Sequence, residues 1–464
     1  MRGIAFSIAV AVFLWFGHMV SSAVLNLIKK WLTVPVEEQG ANGKTTVSGG
    51  KSNERGTPQG AELIIDCVPI PDDPHVSAAP QSASETQKRL LGAWVGAWDN
   101  YWRHILIVED IRADGEARVV WANGDPPFDV IGGMCVREWS REEGTVSGDT
   151  LTLDLATYKL TAADMLLARF ICFQPPSQAR MSRIELAELT RPGATIHWTS
   201  GEVEFLHTDL AEGWKRVRLE VVLFKPKGSG PFPLLVFNHG RIYRGTPASL
   251  TLTESHPELA EVFLEKGWMV AFPQRRGYGK SDGHHDEGFA WDRARGYSAD
   301  PGRCLAGADR ALNDIKAAIA ALQRRPDVAG KRLLIGGESG GGILSIAYAG
   351  GHPQQIAGVI NFVGGWVGER DRTASEINGG LFERGAKYDR ATLWLYGRGD
   401  RTFSIAHSRS NFETFANAGG TGEFIEFDVP GGDGHSLSGY PDLWREHVEK
   451  YLETLEPVEP VDRP

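Results

Sequence analysis

Cysteine is scarce in this chain of 464 residues: Cys67, Cys135, Cys172 and Cys304 stand far apart, with no Cys-x-x-Cys pair. That scatter argues against a disulfide-built scaffold and a cysteine zinc site. It favours buried thiols, with up to two disulfides allowed in an oxidising compartment. An excess of basic charge is also lacking. Lys and Arg number 49 against 59 Asp and Glu, a net charge of −10, so nothing in the balance attracts nucleic acid. There is no recurring segment of about 40–50 residues of the kind that builds a propeller blade. His284-His285-Asp286 has no further ligands at zinc spacing and reads as a solvated loop. Neither a metal nor a cofactor is expected.

What is present is globular: 42% hydrophobic and 23% charged residues. The length exceeds one ordinary core, so two domains and a tail are expected. From Gly3 to Val20 the chain is almost wholly apolar, and Ser21-Ser22-Ala23 offers small residues for a cleavage site. Residues 1–23 therefore read as a secretory signal. The apolar run continues through Val24-Leu25-Asn26-Leu27-Ile28, and about 20 such residues span a bilayer, so residues 4–28 read alternatively as a membrane anchor. Either way the protein is expected to be exported, periplasmic or secreted, or held at a membrane. The oligomeric state is left open.

Residues 24–86 are expected to form a loose linker, rich in Gly, Ser and Pro beyond Glu37, in which Leu63-Ile64-Ile65 docks as a lone strand. Over 87–175, short β-like runs separated by Gly and Asp predict a small antiparallel barrel. Trp94, Trp98, Trp102 and Trp121 lie in it, as barrel core or as a ligand-stacking surface. Residues 195–456 change to alternating strands and helices, the pattern of a mostly parallel sheet covered by helices on both faces; 457–464 is a tail. The fold class is thus α/β, preceded by a β-barrel-like domain.

Function in such sheets sits beyond the carboxyl ends of the strands. After the apolar Leu333-Leu334-Ile335 comes Gly337-Glu338-Ser339-Gly340-Gly341, and then a helical run. Strand, Gly-x-Ser-x-Gly and helix together make the context of a nucleophile elbow. The pattern alone is weak in a chain with 55 glycines, so other strand ends must supply the rest. The run Thr392–Tyr396 leads to Asp400, a candidate orienting acid. The run Glu423–Val429 leads to His435 in a glycine-rich loop, a candidate base. His447 and His407, inside helices, and Asp433, too near His435, are alternatives. The strand Pro233–Phe237 runs into Asn238-His239-Gly240-Arg241. The amide of Arg241 (or Ile242) and that of Gly340 are the candidate oxyanion donors. His239 reads as structural. Arg241, Arg244 and Arg275 are candidates for holding a substrate carboxylate, or are surface groups.

Residues 200–455 resemble the α/β-hydrolase superfamily. Asn238-His239-Gly240, Arg276-Gly277-Tyr278-Gly279-Lys280-Ser281 and Gly337-Glu338-Ser339-Gly340-Gly341 are similar to elements of its dienelactone-hydrolase and prolyl-oligopeptidase-like branch. Gly92-Ala93-Trp94 is similar to the opening of a lipocalin-like barrel. The resemblance implies a Ser339-His435-Asp400 triad in the order Ser, Asp, His, acting on a small ester or related acyl compound. Dienelactone hydrolases proper carry a cysteine where this chain has Ser339. The segment from Gly365 to Lys387 is short and polar, and so argues against a large lid. A prolyl-oligopeptidase-like peptidase, or a non-catalytic binding protein using the Trp-rich barrel, are the alternatives.

Overall fold

The computed structural model describes residues 62–98, 102–124, 138–161, 164–170, 177–194, 196, 198, 201–241, 250–293, 296–330, 333–430 and 432–455. The N-terminal apolar run, Cys135, Cys172, Ile242 and Arg244 lie outside them.

Strands β1 (Glu62–Ile65) and β2 (Val68–Pro71) form a hairpin. The expected lone strand is therefore paired: Asp66 and Cys67, both at positive φ, turn the chain back on itself. Cys67 is exposed on that turn, contrary to the expectation of burial. Helix α1 (Glu85–Leu90) follows, its start fixed by a reciprocal capping box between Ser84 and Gln87.

Eight strands then close into an antiparallel barrel in which sequence neighbours pair in turn. They are β3 (Gly92–Trp98), β4 (Trp102–Ile111), β5 (Glu116–Asn123), β6 (Glu138–Ser147), β7 (Thr150–Thr152), β8 (Ala156–Leu160), β9 (Met165–Phe170) and β10 (Ser177–Ile184). β10 pairs with both β9 and β3 and so closes the barrel, which runs to Ile184 rather than to the expected boundary at 175. Its composition hid it: Ser-Gln-Ala-Arg-Met-Ser-Arg-Ile has only three apolar side chains. Closure removes the sheet edges that an open sheet would expose. Trp94, Trp98, Trp102 and Trp121 are all buried in the barrel core, with Leu106, Tyr158, Phe170 and Met181. Three indole N–H groups donate inside the barrel, to Leu90 O, Asn123 Oδ1 and Gly124 O. They are core tryptophans. Helix α2 (Leu186–Leu189) packs outside, where Leu189 joins Ile105, Ile107 and the hairpin's Val68 and Ile70.

The second sheet contains β11 (Glu202–Glu212), β12 (Lys215–Phe224), β13 (Leu234–Asn238), β14 (Met269–Pro273), β15 (Leu333–Glu338), β16 (Ile356–Phe362), β17 (Thr392–Arg398) and β18 (Gly422–Asp428). Its order is β11-β12-β14-β13-β15-β16-β17-β18. The pairs from β14 to β18 are parallel, and β11 and β12 are antiparallel. The helices are α3 (Pro257–Leu264), α4 (Pro301–Leu322), α5 (Gly340–Gly351), α6 (Ala374–Gly385), α7 (Ile405–Asn417) and α8 (Pro441–Glu453). They cover both faces, because successive residues of a strand point to opposite sides. On β16, Phe362 meets Trp444 of α8, whereas its neighbour Asn361 faces Gly342 of α5.

Helix α6 corrects the picture of a short polar segment after Gly365. Only residues 369–372 are densely charged. Ala374, Ile377, Asn378, Leu381, Phe382 and Gly385 recur at helical spacing and are buried. Among the described residues no helix is long and apolar enough to cross a membrane.

Candidate active site

The elbow between β15 and α5 is built by exclusion. A Cβ on Gly341 would sit 2.0 Å from Asn238 O, and one on Gly337 would sit 2.5 Å from Gly341 C. Both obstacles are backbone, which cannot rotate away. Ser339 takes φ 50° and ψ −121°, a strained conformation for a residue with a side chain. Its carbonyl accepts from Gly342 N, Ile343 N and Gly365 N, which lock the turn into α5 and against the loop after β16. Ser345 Oγ and Asn238 Nδ2 both bond to Gly336 O, tying β13 to β15 beneath the serine.

Asp400 follows β17 and is fully buried. Its Oδ1 accepts the amides of Thr402 at 2.7 Å and Phe403 at 2.9 Å. Its Oδ2 lies 2.8 Å from His435 Nδ1. His435 sits on a 3₁₀ turn, Gly434–Gly439, after β18. Asp433 is occupied as the cap of that turn, accepting from the His435 amide at 3.1 Å. His407 is bonded to Asn378 and His447 is exposed.

Burial by itself would depress the pKa of His435. The hydrogen bond and charge of Asp400, with Glu338 and Asp433 adding, outweigh it and hold the imidazole above its ordinary 6.5. The Phe403 ring lies 5.7 Å from the His435 ring and also packs on Gly365. On the other side Ser438 Oγ donates to Glu338, the residue before Ser339. Neighbours of His435 thus touch neighbours of Ser339 through Phe403 and Ser438.

The loop after β13 reaches the same point. A Cβ on Gly240 would lie 3.4 Å from Ser339 Cβ, and one on Gly340 would lie 3.3 Å from Arg241 N. Gly340 begins α5, where amides have no acceptor within the helix. The amides of Gly340 and Arg241 are therefore close neighbours at a helix N-terminus, where negative charge is favoured.

The arginines differ from the sequence expectation. Arg275 is buried, with Nε 2.5 Å from Glu287 Oε1, and donates to His239 O at 2.8 Å and Gly240 O at 2.9 Å. Arg241 donates to Trp366 O and Glu287 O and lies between the rings of Tyr297 and Trp366. Both guanidinium groups are engaged with protein and brace the loop after β13. Burial would raise the pKa of Glu287, but the charge and hydrogen bond of Arg275 hold it down at about 2. His239 is structural: its Nε2 accepts from Arg275 N, and burial keeps its pKa well below normal. Sequence reasoning missed Glu287 and Ser438, which no local pattern marks, and the contacts of Glu338 with Ser438 and His256. Among the described residues no cluster of His, Cys, Asp and Glu is arranged to hold a metal.

No family model matches the chain, and no curated protein matches it. Solved structures with likeness to it include an esterase from Pyrococcus furiosus, 15% identical with TM-score 0.40, covering 57% of this chain and 97% of that one. Another is an esterase from Butyrivibrio proteoclasticus with ferulic acid bound, 16% identical with TM-score 0.38, covering 54% and 98%. A thioesterase domain from the curacin biosynthetic pathway is 14% identical with TM-score 0.36, covering 55% and 100%. Scores this low carry no weight for the chain's activity, which must be read from its own strands and side chains.

Proposed function

We propose that the protein is a serine hydrolase of α/β-hydrolase type, acting on a small ester or related acyl compound. What carries this reading is the buried Asp400 carboxylate 2.8 Å from His435 Nδ1, beside a serine strained at the N-terminus of a helix. The carboxylate fixes the tautomer in which Nδ1 bears the proton, leaving Nε2 as the basic atom. His435 takes the proton of Ser339 Oγ as that oxygen attacks the acyl carbon. The carbonyl oxygen becomes an oxyanion, stabilised by the amides of Gly340 and Arg241. Protonated His435 returns its proton to the leaving group, and an acyl-enzyme forms. Water, deprotonated by His435, attacks that ester and releases the acid, restoring Ser339.

The sequential pairing of the N-terminal barrel is that of an up-and-down barrel, which supports a lipocalin-like reading. Its interior tryptophans are core, so the acyl substrate is assigned to Ser339 and not to the barrel. Export or membrane attachment through residues 4–28 remains part of the proposal.

Labelling with a fluorophosphonate probe, and turnover of p-nitrophenyl acetate, test the reading. Ser339→Ala should abolish labelling and lower kcat by about 10⁴-fold or more, with Tm nearly unchanged. Turnover retained in Ser339→Ala would overturn the assignment.

A further inference from the structure

The 3₁₀ turn that carries His435 is held from outside its own domain. Gly439, its last residue, offers its carbonyl to Arg169 Nη2 at 3.0 Å and to Gln178 Nε2 at 3.2 Å. Both donors belong to the barrel, and they are direct cross-strand partners, Arg169 on β9 opposite Gln178 on β10. A Cβ on Gly439 would come within 3.0 Å of Gln178 Nε2, so this close approach uses the glycine. The Arg169 guanidinium also lies 5.3 Å above the ring of Tyr440, the next residue.

The same barrel face grips α3. Arg169 pairs with Glu258, and Arg180 Nε lies 3.0 Å from Glu261 Oε2. All four side chains are largely buried, so these pairs escape the solvent screening that makes surface pairs weak. At the head of α3, His256 Nε2 lies 3.5 Å from Glu338 Oε1, and Glu338 accepts from Ser438 on the turn. The contacts form a circuit from barrel to α3, to the elbow, to the histidine turn and back to the barrel. Ser438 is tied to the residue before the nucleophile and Gly439 to the barrel, so the base is tethered in two directions.

We propose that the barrel is a positioning element for the general base: Arg169 and Gln178, by fixing the Gly439 carbonyl, set the place of the His435 imidazole against Ser339. This rests on the triad reading above. Neither residue is catalytic; both act through the turn. A displacement of about 1 Å in a catalytic group can cost on the order of 100-fold in rate.

The test compares Gln178→Leu, Arg169→Met, their double variant and Arg180→Met in the full chain. Gln178→Leu removes one donor and no charge, and so guards against misfolding when Glu258 loses its arginine. Arg180→Met breaks an ion pair at the same interface without touching Gly439. The expected result for the double variant is a kcat for p-nitrophenyl acetate lower by about 10- to 100-fold. KM should be little changed, the acid limb of the pH profile should move toward lower pH, and amide hydrogen exchange over 434–440 should quicken. Arg169→Lys should restore part of the rate, and Arg180→Met should change Tm but neither kcat nor the exchange of the turn. Wild-type kcat, acid limb and exchange in a folded double variant would overturn the proposal, as would an equal loss in Arg180→Met. Failure of Ser339 to label in the wild type would instead overturn the triad reading, and hydrogen exchange of the turn would still decide whether the barrel holds it.

Discussion

The barrel and the mixed sheet each hold a histidine against aromatic side chains, and the two imidazoles behave in opposite ways. Inside the barrel, His104 lies between Trp98 and Trp121, its Nδ1 2.8 Å from Ala122 O and 2.9 Å from Asn123 Oδ1, its Nε2 2.9 Å from Tyr158 Oη. Burial pushes its pKa down to about 4, and the carbonyl and amide bonds recover only part of the loss. His435, its side chain 30% exposed, is also partly desolvated, yet its pKa is raised. The difference is the charge of the partner. A neutral hydrogen bond contributes about 1 kcal/mol net, whereas a carboxylate some 4 Å from a cation is worth about 4 kcal/mol at an effective dielectric of 20. Desolvation therefore wins in the barrel and loses at Asp400. Burial with neutral hydrogen bonds keeps a histidine neutral; a buried carboxylate beside it favours the protonated form.

The most direct way to break this contrast is Asp400→Asn, which gives His435 the kind of neutral partner His104 has. The amide leaves a hydrogen-bonding group in place but removes the charge and permits the wrong tautomer. A loss of about 10⁴-fold in kcat/KM is expected. The sign of the pH effect follows from the base needing to be neutral. Wild-type activity should rise through a pKa above 6.5. In Asp400→Asn only Glu338 and Asp433 still oppose burial, so the residual activity should rise at lower pH. An unshifted acid limb would mean that Asp400 does not set the pKa.

The ion pairs of the two regions offer a second contrast. Arg275 and Glu287, beneath the loop after β13, have side chains only 2% and 4% exposed. In the barrel, Glu109 is equally buried but meets half-exposed Arg118 and Arg141, at 3.2 and 3.1 Å. Arg275→Met leaves Glu287 buried without its cation and should cost about 3–5 kcal/mol of unfolding free energy in urea titration. Arg141→Met leaves Glu109 with Arg118 and water, and should cost about 1 kcal/mol or less. Equal costs would show that burial of the carboxylate alone, and not of the whole pair, decides the penalty.

Where chemistry imposes geometry, the sequence was informative. Gly337 and Gly341 are small because Asn238 and the start of α5 leave no room, and that steric demand is written locally as Gly-x-Ser-x-Gly. Asp400 and His435 follow apolar strands, so the His435–Asp400 contact was within reach of strand-end reasoning. Helix α6 had a signal as well, the 3-and-4 spacing from Ala374 to Gly385, masked by the charges at 369–372. Strand β10 had little, because its polar outward residues outnumber its apolar ones and its identity lies in closing the barrel. Arg275 read as a substrate ligand or a surface group because nothing nearby announces Glu287. The contact of Arg169 with Gly439 joins residues 270 positions apart, and only tertiary packing brings them together.

A substitution at His104 sharpens the first contrast from the barrel side. His104→Gln keeps a polar side chain but loses part of the bonding to Asn123, Ala122 and Tyr158, so at pH 7 it should destabilise the protein by about 1–2 kcal/mol. The pH dependence tells more. The folded pKa of His104 is lowered from 6.5 to about 4, so between those values the unfolded chain binds a proton that the native barrel refuses. Unfolding is then favoured as pH falls, and the wild type loses stability between about 6.5 and 4, by roughly 3 kcal/mol at the low end. Glutamine has no proton to refuse. Asp314, whose pKa burial raises to about 6 against the pull of Arg276, acts in the opposite sense but is common to both proteins and cancels in the difference. The gap in Tm between wild type and His104→Gln should therefore narrow, or reverse, as pH is lowered from 7 to 4.5, while kcat at pH 7 stays unchanged. A gap independent of pH would show that His104 titrates normally inside the barrel, and the contrast with His435 would then not rest on the charge of the partner.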